Sequence, residues 1–153
     1  GQLILKLKPG RRPTVGEATA DLALTDAEKK AEAHTSNGDL TWWPLTRPGE
    51  LYKAARVRAG ASPSYFSHYR LDATKPSRTI IGNPNVANHW SEPRGLTLAE
   101  VKRIGSFPDD YIAKTAQLGK YLIGMSVPPR MMQFVAGEVA RQWFGVSESK
   151  QVA

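Results

Sequence analysis

The chain has 153 residues, 41% hydrophobic and 23% charged, enough for one domain with a real core or for a domain plus a loose arm. Twenty-one Lys and Arg against 14 Asp and Glu give a net charge of +7 and an isoelectric point near 9.8. That balance favours a nucleic-acid partner, since neutralising phosphates releases condensed counterions, although a merely soluble basic protein carries the same balance. The absence of cysteine excludes disulfides, thiolate zinc sites and any cysteine nucleophile on this chain.

His34, His68 and His89 lie far apart without metal-ligand spacing, so no metal site is expected and each reads as a surface or satisfied structural histidine. No apolar run is long enough to span a membrane, and Leu3-Ile4-Leu5 is too short for a signal-peptide core. The first residue is Gly1 rather than Met, as expected of an excised fragment or a trimmed tag.

In chain order, Leu3 to Leu7 reads as a short strand that ends in the basic turn Lys8–Pro13. Thr14 with Glu17 forms a capping box that opens a helix to about Leu24, and Thr25 with Glu28 opens a second helix to about His34. Residues 36–39 form a loop. Trp42 and Trp43 are compatible with base stacking, and tryptophans more often pack a small core. A helix follows Pro48-Gly49-Glu50, with Leu51, Ala54, Ala55 and Val57 inward and Gly60 as its stop.

Residues 61–93 are irregular, with strands expected at 65–71 and 79–81 among turn-forming Pro, Gly and Asn residues. A loop region this long is commonly functional. It carries Arg70, Lys75, Arg78, Asn83 and Asn85, and Arg and Asn read guanine and adenine edges bidentately. The competing reading is a solvated basic loop.

Thr97 with Glu100 is a third capping box, opening a helix to about Ile104. Asp109 and Asp110 are adjacent, so their side chains diverge and make a poor acid–base pair. Helices are expected over about 114–123 and 129–144, with a break at 124–129. On the last, Met132, Val135, Ala136, Val139, Ala140 and Trp143 share a face, widened by Met131 and Phe134. Such a face requires a partner. No Gly-rich phosphate loop and no repeat is present.

Two stretches resemble the last two conserved blocks of DNA cytosine-5 methyltransferases. Arg94-Gly-Leu96-Thr97-Leu-Ala-Glu100-Val-Lys-Arg103-Ile104-Gly-Ser-Phe107-Pro108-Asp109 is similar to the R-x-L-T-x-x-E-x-x-R-[IL]-Q-x-[FY]-P-D block. Gly124-Met125-Ser126-Val127-Pro128-Pro129 is similar to G-N-[SA]-V-P-P, with Gln117 and Tyr121 at matching places in the connector. Weaker similarity joins Lys75–Ile80 to a segment of the family's target-recognition domain, and Thr14–Leu22 to the stretch before that domain. Met125 departs from the family's Asn, and Gly105 from its Gln.

The resemblance implies roles. Arg94, Thr97 and Glu100 would form the scaffold that holds the recognition domain in shape. Thr79 and Ile80, with the loop to Asn88, would enter the major groove of duplex DNA. Met125, Ser126 and Val127 would help close the S-adenosylmethionine pocket of the complete enzyme. The family's chemistry flips the cytosine out of the duplex and adds a low-pKa cysteine thiolate to C6, so that C5 becomes nucleophilic enough to take the methyl group. The family's Gly-rich cofactor loop, Pro-Cys nucleophile, Glu near the base and Q-x-R-x-R segment are absent from this sequence.

The expected fold is therefore α+β: a small irregular β-sheet target-recognition domain flanked by helices, with a C-terminal helical arm. Residues 1–93 would form the recognition region, 94–111 the motif scaffold, 112–146 a helical segment that packs on a catalytic domain, and 147–153 a disordered tail. The expected partners are duplex DNA and a catalytic domain in cis or as a second chain, with a homodimer through the last helix as another way to cover its apolar face. No catalytic residue is assigned to this chain, and a bacterial or phage cytoplasmic setting is expected. Two other readings stay open: a free-standing, non-catalytic DNA-binding module derived from such an enzyme, and a protein-binding module that uses the 131–143 stripe.

Overall fold

The computed structural model describes residues 4–8, 10–33, 40–63, 68–83 and 86–145. All three capping boxes form. Thr14, Thr25 and Thr97 each accept an N–H at N3 while the Glu at that position reaches back to the cap backbone, which satisfies two orphan donors per helix. They open α1 (Val15–Thr19), α2 (Asp26–Glu32) and α4 (Leu98–Ile104). A 3₁₀ turn, Leu40–Trp42, precedes α3 (Tyr52–Arg58). The chain closes with α5 (Ala116–Met125) and α6 (Pro129–Trp143).

The architecture is α+β, with a two-stranded parallel sheet of β1 (Tyr69–Arg70) and β2 (Ala87–Asn88). Single antiparallel bridges, Leu51 to Tyr69 and Asn88 to Gly95, extend the sheet by one residue on each side. The α2 end joins it as well, since the Gly95 N–H donates to the Glu32 carbonyl at 3.1 Å. The core gathers Val15, Tyr69, Leu71, Leu96, Val101 and Ile123, and Ile80, Trp90, Leu98 and Phe107 pack against it. The helix α4 lies between α1 and α5.

Several expectations are corrected. Residues 4–8 are not a strand. The Lys6 backbone bonds instead to the Gln142 side-chain amide, at 3.0 Å through its N–H and 2.7 Å through its carbonyl, so a helix side chain replaces a neighbouring strand. The first helix stops at Thr19 rather than Leu24, because the chain turns there and presents Asp21 to Arg103. Val57 is exposed, and the inward position of α3 belongs to Tyr52. Residues 79–81 form no strand, because the place beside β1 is taken by β2. The break before α6 is shorter than expected, since α5 continues to Met125. The expectations for His34, the 36–39 loop, the start of the 65–71 strand and the 147–153 tail lie outside the described residues.

The junction between α4 and α6 has an unusual cap. Two bonds, from Ser106 N–H to Arg103 carbonyl (3.1 Å) and from Phe107 N–H to Lys102 carbonyl (2.8 Å), end α4 in the pattern that requires a left-handed residue after the helix. Ser106 takes that place with φ of 60°, a conformation that costs a side-chain-bearing residue about 1–2 kcal/mol. Its Oγ accepts the Arg130 N–H at 3.2 Å, satisfying a first-turn donor of α6 that the Pro128 cap cannot.

Candidate nucleic-acid interface and its buried support

The best-defined polar site is inside the protein. Arg94, 3% exposed, donates from Nη1 and Nη2 to the two carboxylate oxygens of Glu100, both at 2.8 Å. This bidentate geometry is the strongest form of the pair. Arg94 also donates to Glu92 (2.8 Å) and to the Gly95 carbonyl (2.9 Å). Glu100 accepts the Thr97 N–H at 2.8 Å and faces His89 Nε2 at 3.3 Å. The His89 Nδ1 accepts N–H groups of Ser91 and Glu92, which puts the ring hydrogen on Nε2, facing Glu100. Burial alone would push the Glu100 carboxyl up. The Arg94 hydrogen bonds, with help from His89 and the Thr97 N–H, outweigh burial and hold it at about 2.

A second buried pair joins distant parts of the chain. Lys120 Nζ donates to Glu32, and both residues are buried. The pair ties α2 to α5, while Lys29 reaches Glu92 at 3.5 Å. Sequence reasoning assigned Lys120 and Glu32 no role, because a charged residue on a short polar helix ordinarily faces water. It left His89 as either a surface or a satisfied structural histidine, and the structure buries it against Glu100, Ser91 and Glu92.

The candidate DNA-contacting residues separate into two groups. Arg70 is engaged internally. Its Nε donates to the Trp90 carbonyl at 2.7 Å, its Nη1 donates to the Thr46 carbonyl at 3.0 Å, and its guanidinium lies 3.9 Å from the Trp43 ring centroid. Trp42 similarly carries Arg56 at 4.9 Å, and Trp43 Nε1 donates to the His89 carbonyl. The adjacent tryptophans are thus half-buried, with a cation–π contact on each.

Lys75, Arg78, Thr79 and Asn83 form the second group, an exposed stretch between the 72–75 turn and residue 83. Lys75 pairs with Asp72 at 3.1 Å, and its side chain remains 68% exposed. Arg78 lies 5.7 Å from the Tyr69 ring centroid. The Tyr69 phenol is pushed up by burial, partly offset by the nearby Arg78 charge. Ile80 turns inward, lining a small cavity with Tyr69, Leu96 and Val101. Asn85 lies outside the described residues.

The stretch is anchored from two sides. The first N–H groups of α1 donate into the turn, from Val15 to the Lys75 carbonyl and from Gly16 to the Ala73 carbonyl, both at 2.9 Å. On the other side the α5 backbone at Gly124 presses on the Ile81–Gly82 peptide. A Cβ at position 124 would stand 2.7 Å from the Gly82 nitrogen and nearer still to the Ile81 carbonyl. Met125, Ser126 and Val127 follow as an exposed edge, with the Ser126 hydroxyl donating to the Leu122 carbonyl at 2.7 Å. These three residues could form one rim of a ligand pocket. A rim open to solvent does not by itself enclose a ligand.

The described residues contain no cluster of metal-binding side chains and no helix long and apolar enough to cross a membrane.

Comparison with known proteins agrees with this frame. The family described as C-5 cytosine-specific DNA methylase matches residues 14–141. Type II methyltransferase M.BbvI of Brevibacillus brevis is 45% identical over 65 residues, 39% of this chain and 17% of that protein. Type II methyltransferase M1.HphI of Haemophilus parahaemolyticus is 32% identical over 77 residues, 48% of this chain and 20% of that protein. "Putative type II methyltransferase M.MJ0563P" of Methanocaldococcus jannaschii is 29% identical over 143 residues, 90% of this chain and 44% of that protein. The chain spans less than half the length of each of these relatives. With a family match that runs over residues 14–141, this chain belongs to the C-5 cytosine-specific DNA methylase family.

Proposed function

We propose that this chain is the DNA-recognition portion of a DNA (cytosine-5-)methyltransferase. It positions duplex DNA for methylation carried out by a catalytic portion outside the sequence. One observation carries the reading: a chain matched to the family over residues 14–141 has no cysteine, yet holds an exposed Lys75–Asn83 stretch on a buried frame. In this reading the reacting thiolate comes from elsewhere, and the buried frame supports the exposed stretch that would face DNA.

In this reading Lys75 and Arg78 meet phosphates, Thr79, Asn83 and Asn85 approach base edges, and Ile80 roots the loop. Arg70 acts from behind through Trp43 and Trp90. Residues 1–93 form the recognition region, Arg94, Thr97 and Glu100 its scaffold, and residues 112–146 the surface that meets the catalytic portion. S-adenosylmethionine, when bound to the complete enzyme, supplies the methyl group. The 125–127 edge would form part of its pocket wall.

Among the described residues, α6 presents an open apolar surface that supports this reading. No residue of α6 is buried, and Met131, Met132, Phe134 and Trp143 are exposed. The Lys6–Gln142 bonds bring residues 4–8 alongside it. A homodimer through α6 is the competing way to cover this face, and a chain that sediments as a monomer at all concentrations would exclude it. The free-standing DNA-binding module is the second reading, favoured by the missing cysteine. A Pro-Cys and Gly-rich region encoded upstream would eliminate it.

The decisive experiment mixes this chain with the separately produced catalytic portion, duplex DNA and labelled cofactor. Methyl transfer only in the full mixture supports the proposal. Duplex binding by this chain that shows no dependence on salt would refute it, because phosphate contacts impose such a slope.

A further inference from the structure

We propose that Met125 is a positioning residue for DNA discrimination: with Tyr121 and Gly124 it forms a seat that sets where the Thr79–Asn83 loop stands. The inference rests on the reading of that loop as DNA-facing.

The contacts are local and reciprocal. Gly124 has no side chain between α5 and the Ile81–Gly82 peptide, and Gly82 has none between the loop and α5. A Cβ on Gly82 would meet Met125 Sδ at 2.9 Å, Met125 Cγ at 3.2 Å and the Tyr121 ring at 3.3 Å. Two glycines therefore lie back to back, and the Met125 thioether covers one of them. Ile80, two residues earlier, enters the core. The loop is held at Ile80 from inside and at Gly82 from α5, and Arg78, Thr79, Ile81 and Asn83 are left exposed.

Position 125 departs from the Asn of the resembling motif. An Asn there would be shorter and hydrated, and would leave the Tyr121 ring as the main cover of Gly82. Met is unbranched and polarizable, suited to filling an irregular gap against bare backbone. It is also 66% exposed, so truncating it removes its cover of Gly82 without opening a core cavity. Base readout depends on hydrogen-bond geometry that fails within a fraction of an ångström, whereas attraction to phosphates falls off slowly with distance. A displaced loop therefore loses discrimination before it loses total affinity.

The test compares this chain with its Met125→Ala and Met125→Leu variants. Backbone order parameters of residues 81–83 are measured first by NMR relaxation, without DNA. Affinity is then measured for a duplex enriched by the wild-type chain from a random-sequence pool, and for its scrambled counterpart. The expected result is lower loop order parameters in Met125→Ala at an unchanged melting temperature. With it the ratio of the two affinities falls about three- to thirty-fold, as for other residues that act through a neighbour. Met125→Leu, similar in volume, restores both.

Unchanged loop order parameters, or an unchanged affinity ratio in Met125→Ala, overturns the seat. If the wild-type chain enriches no duplex while Met125→Ala still loosens the loop, the DNA-facing reading fails and the assignment to discrimination falls with it.

Discussion

Replacing Glu100 by Gln removes the charge that the buried Arg94 guanidinium faces, and leaves volume and shape nearly intact. The Glu100 carboxyl is held at about 2 against an ordinary 4.5. That difference corresponds to about 3 kcal/mol of stability at neutral pH, close to the cost of breaking a buried pair from one side. Because the folded-state value is the lower one, the unfolded chain binds the proton more readily. The contribution is complete above pH 4.5 and is lost as pH falls towards 2. Urea unfolding of wild type and Glu100→Gln at several pH values from 7 to 2.5 checks this. The variant should be about 3 kcal/mol less stable at pH 7, and the gap should close as the medium is acidified. Other low carboxyls, such as Glu17 and Asp109, are common to both proteins and cancel in the difference. A gap of the same size at pH 3 and pH 7, or no gap at pH 7, would refute the reasoning.

Further outcomes follow from the same geometry. Lys120→Ala should destabilise the chain by about 3–5 kcal/mol by leaving Glu32 buried without its cation, and Lys120→Met with Glu32→Leu should recover most of it in the same unfolding assay. Gly124→Ala should cost about 1–3 kcal/mol, since its Cβ meets backbone rather than a movable side chain, read as a lower urea midpoint. Ser106→Ala should loosen the first turn of α6, at about 1 kcal/mol for a lost cap, seen as faster amide exchange at Arg130. Arg78→Ala should lower the salt slope of duplex binding by about 1 if that guanidinium meets a phosphate.

Much of the local structure was legible in the sequence. The three Thr-x-x-Glu boxes mark the starts of α1, α2 and α4 because the same few atoms make both halves of each cap. The start of α6 was equally readable, since Pro129 sits where a missing N–H is harmless. The candidate site was legible as a set of residue types and only partly as a place. Lys75, Arg78, Thr79 and Asn83 do share one exposed stretch, but Arg70, of the same chemical type, is drawn inward by Trp43 and two carbonyls. Nothing within a few residues of Arg70 announces that capture, because its partners lie 20 and 24 positions away. The strand expected at 79–81 fails for a related reason. Its composition suits a strand, yet the hydrogen-bonding place beside Tyr69 goes to Ala87.

By itself, then, the sequence determined the helix starts, the family and the absence of the reacting thiol, because caps, motif spacing and residue types are properties of the chain as written. The tertiary structure decided which charges are buried, that Arg70 is drawn inward while Arg78 stays exposed, and why two glycines sit where α5 meets the loop. Those outcomes depend on groups far apart in sequence. The Lys120–Glu32 pair spans 88 residues, and two charges can share the interior only when the fold brings them together, since either alone would be too costly to bury.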